Sequence, residues 1–290
     1  MNEVGGRYDE ASEPTRVLQR PLEAPERTRH AEAPAEWVAV ATEIGRRHRT
    51  NQDAYSAGVS GDWAALVVSD GVSSSIGAER ASLTAATTVR SALLSAVERP
   101  GDWDATFRQA YAAAQTEVLS IGHDGSPVGS CTLVAALVTG REIHLGNIGD
   151  TRAYWVADAT PDHAGETVQL SVDDSLAQAQ MDLGVSREEA ESGSHAHAIT
   201  RWIGPDAPEL NPRMRHFRAE GPGLLVVCSD GLWNYASAPE AMDGLVRGLV
   251  AELGEPSSGE ILRELARALT QWANQQGGRD NITVALARVH

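Results

Sequence analysis

Twice in this chain an apolar run stops at Ser-Asp-Gly: "LVVSDG" from Leu66 to Gly71, and "LVVCSDG" from Leu225 to Gly231. Runs this short, rich in Val and Leu and closed by a turn signal, read as buried strands. Any fold that contains them must set two carboxylates at strand ends, where an uncompensated buried charge is costly. Other strand-like segments follow closely: "CTLVAALV" from Cys131, "REIHLGNIGD" from Arg141, "TRAYWVA" from Thr151 and, near the C-terminus, "NITVALARV". Links this short favour antiparallel pairing, because a parallel crossover needs about a dozen residues or more. Between them lie two helix-like blocks, Gly77 to Glu98 and Asp102 to Ile121. In the second, Trp103, Phe107, Tyr111 and Val118 recur at helical spacing and read as a core-facing stripe. Ile261, Leu262, Leu265, Leu269 and Trp272 mark a further helix. Strands in clusters and helices in clusters argue for an α+β layered domain, and no internal repeat is visible.

The remaining properties narrow the class of function. With 290 residues and 42% hydrophobic content, the chain can bury a sizeable core. Aromatics make up only 5% of it, so Ala, Val, Leu and Ile must do most of the packing. The formal net charge is -16, and Arg supplies every fully charged basic side chain because Lys is absent. Such a field opposes nucleic acid and anionic membrane, and neither is expected as a partner. Cys131 and Cys228 lie inside apolar runs and read as reduced thiols, which fits a cytoplasmic setting. No apolar stretch approaches the roughly 20 residues of a membrane span, and no export signal is legible. Residues 1–35, rich in Pro, Glu, Ala and Arg without an apolar period, read as a disordered tail ahead of a single domain at 36–290.

Asp70, Asp150 and Asp230 each close a strand-like run, and Asp280 stands just before one in "GGRDNITV". A lone Asp-Gly is most simply a turn. Four such carboxylates at the ends of stacked strands can converge, and converging carboxylates call for a cation. Hard divalent ions, magnesium or manganese, suit carboxylate and carbonyl oxygens, and Gly71 without a Cβ lets backbone approach closely. In order, "NQDA", "VVSDGVSSSIGAERAS", "GSCTLVAALV", "LGNIGDTRAYWV", "LSVDDSLAQAQMDLGVSREEA", "ITRWIG", "LLVVCSDGLWN" and "GGRDNITVALARV" resemble the bacterial metal-dependent protein phosphatases of type 2C. The resemblance runs from about Trp37 onward. It implies a four-layer α/β/β/α sandwich of two antiparallel sheets flanked by helices, and hydrolysis of phosphoserine and phosphothreonine in proteins. It also implies that Asp70 bridges two Mn2+ or Mg2+ ions, that the Gly71 carbonyl binds one, and that Asp230 and Asp280 complete the pair. Asp53 would hold metal-bound water. Asp150 and Asp174 would serve a third ion. Partners would be phosphorylated proteins and an opposing serine/threonine kinase pathway, with the chain acting as a monomer.

The chemistry suits the arrangement. A phosphate monoester resists hydroxide, and neighbouring metals both neutralise its charge and lower the pKa of a bound water, so no protein nucleophile is needed. The sequence agrees: the sixth residue after Cys228 is Asn234 and after Cys131 is Leu137, so neither begins the Cys-x5-Arg loop of thiol phosphatases, and Gly-x-Ser-x-Gly is absent. Several positions depart from the family. Gln52 replaces a frequent Glu, which implies weaker metal affinity. His48, flanked by Arg46, Arg47 and Arg49, stands where many members place a phosphate-binding Arg. Any of these side chains could grip phosphate, and a solvated basic segment competes as a reading. "VSSS" after Gly71 offers no histidine as general acid, which leaves protonation of the departing oxygen to water. Asn234 replaces a frequent acidic residue, which puts the third ion in question. His195 and His197 could instead ligate zinc from one face of a strand. An alternative of another class is a catalytically weak or silent relative that binds phosphoproteins or a signalling partner.

Overall fold

Alternation within the two Ser-Asp-Gly strands builds the layers. The computed structural model describes residues 16–18 and 28–290, apart from 160–164, 194 and 209. In it, Leu66 and Val68 of β5 (Trp63–Ser69) enter one buried cluster, and Ala65 and Val67 enter another. Leu225 and Val227 of β11 (Gly223–Cys228) join the first of these clusters, whereas Leu224, Val226 and Cys228 enter a third. Each strand is therefore covered on both faces. That is why it reads as an unbroken apolar run and not as an alternating one.

The shared cluster lies between two six-stranded sheets. One runs β1 (Arg16–Leu18), β4 (Ala54–Ser60), β5, β6 (Leu133–Thr139), β7 (Glu142–Ile148) and β10 (Arg213–Arg218). The other runs β2 (Arg29–Ala35), β3 (Val38–Glu43), β12 (Ile282–Val289), β11, β8 (Arg152–Ala157) and β9 (Thr167–Gln169). Every described pairing is antiparallel. Helices α1 (Ala78–Ala96) and α2 (Trp103–Ser120) cover the first sheet. Ala81, Ala85 and Ala86 form much of the buried face of α1, and such small side chains let a helix lie close to the sheet. Asp102 caps α2 by accepting from the Ala105 amide at 3.1 Å. One turn of helix, α5 (Asp230–Trp233), follows β11, and helices α6 (Pro239–Leu253) and α7 (Gly259–Gln276) cover the second sheet, with Leu262, Leu265 and Leu269 of α7 turned inward. This is the four-layer sandwich that the resemblance implied. Two short helices, α3 (Leu176–Asp182) and α4 (Arg187–Ser192), stand outside the layers around Ala177, Ala190 and Ala196.

The expectation of disorder as far as residue 35 needs correction. Residues 1–15 and 19–27 lie outside the described residues, but Arg29–Ala35 forms β2 and pairs with β3. Ala31 and Ala33 pack toward α7, and an irregularity between Glu32 and Ala35 accommodates Pro34 on this edge strand. Ala carries little hydrophobic signal, so composition alone hides a strand whose partner is the neighbouring backbone.

Candidate metal and phosphate site

The strand ladders, extended outward, explain why the carboxylates meet. Ala54 pairs with Ser69, so one further step sets Asp53 opposite Asp70. Cys228 pairs with Arg152, so two further steps set Asp230 opposite Asp150. Cys228 also pairs with Val284, which leaves Asp280 at the same end of β12. The two sheets then bring the groups together: the Asp70 carboxyl feels the charges of Asp53, Asp230, Asp280 and Asp150. Tight turns complete the rim. A Cβ on Gly231 would lie 1.9 Å from the Asn281 carbonyl oxygen, so only glycine lets the Asp230 turn rest on the Asp280 turn. A Cβ on Gly71 would lie 2.7 Å from the Gln52 carbonyl oxygen.

Electrostatics at the rim are those of crowded, buried acids. Burial pushes the Asp53 carboxyl up to about 6, against the hydrogen bond that Ser229 Oγ donates to its Oδ2 at 2.7 Å. Burial and the neighbouring Asp173 push Asp150 up to about 7. Burial, reinforced by the surrounding carboxylates, raises Asp70 and Asp230 well above the ordinary aspartate range. Asp230 Oδ2 accepts from Asn234 Nδ2 at 3.1 Å, while its Oδ1 is buried without a hydrogen-bond partner. An unsatisfied carboxylate oxygen amid like charges fits a divalent cation. Among the described residues, no three acidic, His or Cys side chains are already closed on one point. Such a donor set suits ions that keep several waters and take one or two carboxylates each.

The basic loop that follows β3 is fastened to this rim. Asn281 Nδ2 donates to the Ile44 carbonyl at 2.8 Å, and its Oδ1 accepts from the Gln52 amide at 2.7 Å, which clamps both ends of the loop. His48 Nε2 stands 3.2 Å from Asp280 Oδ1. Arg46, Arg47 and Arg49 are exposed. On the other side of Asp70, Ser75 Oγ donates to the Val72 carbonyl at 2.8 Å and accepts from the Ser130 amide at 3.0 Å, so it serves the loop's own shape.

Asp174 does not join the other carboxylates. Its Oδ1 receives Arg213 Nε at 2.7 Å and lies 3.2 Å from Arg201 Nε, and its Oδ2 accepts from the Gly149 amide at 3.2 Å. The chain itself supplies its cations, and a metal would have to displace two arginines. The neighbouring Asp173 is the one that faces Asp150, itself paired with the fully buried Arg152 at 2.7 Å. His195 and His197 lie in turns and not on a strand: the Ala198 amide bonds the His195 carbonyl, and the His197 ring sits 6.1 Å from that of Trp233. Sequence reasoning missed Ser229, Asn281 and the Arg152–Asp173 pair. Ser229 carried a signal, since both strand-ending motifs contain Ser. Yet the equivalent Ser69 bonds the Thr132 carbonyl at 2.6 Å instead of a carboxylate.

With this geometry in place, comparison with known proteins is informative. The family model described as Protein phosphatase 2C matches residues 43–272. The serine/threonine protein phosphatase PstP of Mycobacterium tuberculosis is 34% identical over 159 residues, 54% of this chain and 27% of PstP. The chain thus spans little more than a quarter of that relative's length. Protein phosphatase PhpP of Streptococcus pneumoniae is 26% identical over 261 residues, covering 87% of this chain and 97% of PhpP. The solved catalytic domain of PstP in complex with 2 manganese ions superposes with a TM-score of 0.63 at 24% identity, over 88% of this chain and 99% of that one.

Proposed function

Since this chain belongs to the protein phosphatase 2C family, we propose that it is a serine/threonine protein phosphatase that uses divalent metal ions. The observation that carries the reading is the convergence of Asp53, Asp70, Asp150 and Asp230 on one rim, each raised first by burial and then by neighbouring carboxylates, Asp280 among them in every case. Two Mn2+ or Mg2+ ions are the proposed occupants, held by Asp70, the Gly71 carbonyl, Asp230 and Asp280, with Asp150 serving a third. When bound, such ions neutralise phosphate charge and supply a water of lowered pKa.

The chain's own residues prepare that chemistry. Ser229 fixes the orientation of Asp53, whose carboxylate then accepts a hydrogen bond from water entering the rim. Asn234 holds Asp230 through Oδ2 and leaves Oδ1 turned to the site. His48 leans on Asp280, so the exposed Arg46, Arg47 and Arg49 beside it are the better candidates to grip phosphate oxygens. Ser75 is committed to its loop, and protonation of the departing serine or threonine oxygen falls to solvent. Asp174, held by two arginines, is withdrawn from the proposed ligand set. Phosphorylated proteins are the proposed substrates, and a serine/threonine kinase pathway supplies them. A cytoplasmic setting agrees with the buried free thiols, and no described helix is long and apolar enough to cross a membrane. No specific observation favours a silent binding protein.

The test is hydrolysis of a phosphothreonine peptide and of p-nitrophenyl phosphate with manganese and after chelation. Turnover should require the metal and should fall at least a hundredfold in Asp70→Asn, with the far-ultraviolet spectrum retained. Metal-independent turnover, or full activity in the variant, would overturn the reading.

A further inference from the structure

Beside the acidic rim runs a cleft of about 450 Å³, walled by Trp233, Tyr235, His197, Glu191 and Arg279 and open to Asp230 and Asp280. Its charges are not all alike in availability. Glu191 is already engaged by Arg152 at 2.9 Å and Arg187 at 3.0 Å. Asp230 and Asp280 belong to the metal-facing rim. Arg279 is different: it is exposed, and no side-chain hydrogen bond or ion pair engages it among the described residues. Its backbone is nonetheless fixed, because its amide donates to the Tyr235 hydroxyl at 3.2 Å and the next residue is Asp280. Across the Gly278 turn, the Arg46 amide bonds the Gly278 carbonyl at 2.8 Å, which joins the Arg279 segment to the basic loop. In a chain of net charge -16, four exposed arginines, Arg46, Arg47, Arg49 and Arg279, thus stand on two joined segments next to the acidic rim.

We infer that Arg279 is a specificity-determining residue that pairs with an acidic side chain flanking the phosphorylated residue, so that the cleft selects acidic phosphopeptides. The inference rests on the phosphatase reading above. Once cations balance Asp230 and Asp280, and Arg152 and Arg187 balance Glu191, the uncompensated charge in the cleft is that of Arg279. Its planar fork suits a carboxylate, and the rings of Trp233 and Tyr235 offer a wall for aliphatic stems. Arg279 lines the cleft, whereas no residue of the loop from Arg46 to Arg49 does, which leaves that loop for the phosphate.

The experiment uses three phosphothreonine peptides that differ only in the flanking residues, Glu, Ala or Arg, assayed with manganese on the parent, Arg279→Ala and Arg279→Glu. The ratio of kcat/KM between Glu and Arg peptides, taken within each protein, removes any general effect of a substitution. Parent selectivity for Glu should be about tenfold and should weaken with added salt. It should fall to near unity in Arg279→Ala and invert in Arg279→Glu. A parent without preference would overturn the inference. So would variants that lose rate equally on all three peptides and keep the parent's ratio, since Arg279 would then be gripping phosphate. Binding of the same peptides carrying a non-hydrolysable phosphonate, followed by fluorescence anisotropy, gives the same ratios without turnover. A protein that binds selectively through Arg279 but hydrolyses neither peptide nor p-nitrophenyl phosphate would sink the phosphatase reading and leave this one standing.

Discussion

Asp150 and Asp174 are alike on paper, each an aspartate expected at a third ion, yet their surroundings give them opposite tasks. Asp150 faces other acids, and burial together with Asp173 drives its carboxyl up to about 7. Asp174 faces Arg201 and Arg213 and also accepts from the Gly149 amide, so it ties β10 and the segment after α4 to the turn that carries Asp150. Exchange of carboxylate for amide should separate the two. Asp150→Asn removes a like charge from the rim and should leave the fold as stable or more so, while raising the manganese concentration needed for half-maximal activity. Asp174→Asn leaves two guanidiniums without their carboxylate and should cost about 2 kcal/mol, a figure kept modest because Arg213 is 40% exposed. Metal titrations of activity and thermal unfolding of both variants would check this. A large loss of metal affinity with no loss of stability in Asp174→Asn would return that residue to the ligand set. Asp70, Asp150, Asp230 and Asp280 were legible from the sequence because each closes or opens an apolar run, whereas Asp53 came only with the family resemblance. The partners of Asp174 were not, since Arg201 and Arg213 reach it from a loop and from a strand exposed enough to carry no apolar period.

At the scale of elements, β5 and β11 answer why two apolar runs end on Ser-Asp-Gly. One comes from each sheet, both are covered on both faces, and both stop where their sheets share an end, so two strands deliver charge to one rim. The layered fold was readable because apolar runs of strand length stood in clusters, with helix-period blocks between them. The start of the domain was not. β2 is built of Arg, His, Ala, Glu and Pro, and it holds its place through the β3 backbone, the Arg29–Glu43 ion pair, and Ala31 and Ala33 against the α7 side. Glu36 just beyond it accepts from the Gly259 amide at 2.9 Å, at the first turn of α7. Deletion of residues 1–35 should therefore uncover the β3 edge and one flank of α7. The expected cost is about 2 to 3 kcal/mol, or roughly 5–10 °C in melting temperature, with increased aggregation from the bared edge. Deletion of residues 1–15 spares every described strand and should leave the melting temperature unchanged. Calorimetry on the two truncations decides the point, and equal stability would mean that β2 adds nothing to the domain.

For the whole molecule, the rim and the net charge of -16 act in the same direction. In the metal-free protein, Asp53 titrates near 6 against an ordinary value of 3.8, and Asp70, Asp150 and Asp230 are raised as well. A carboxyl raised by folding holds its proton in the native state after the unfolded chain has released it. The native state therefore binds more protons between about pH 4 and 7, and stability falls as pH climbs through that window. Asp53 alone accounts for on the order of 3 kcal/mol of this penalty above pH 7. Glu191 runs the other way: burial would raise it, but the Ser237 hydrogen bond and the Arg152 charge together hold it below its ordinary 4.5. Its window thus lies below that of the rim. Chelated protein should consequently melt several degrees higher at pH 5.5 than at pH 8. Manganese should restore stability at pH 8 and do far less at pH 5.5, because the ion and the proton relieve the same repulsion. Asp70→Asn, with one charge removed, should show a shallower pH slope and a smaller response to manganese, which separates the rim from the general relief of surface charge on acidification. A chelated parent whose melting temperature is flat from pH 5.5 to 8, or rises with pH, would show that the carboxylates are not held together by the fold without their ions.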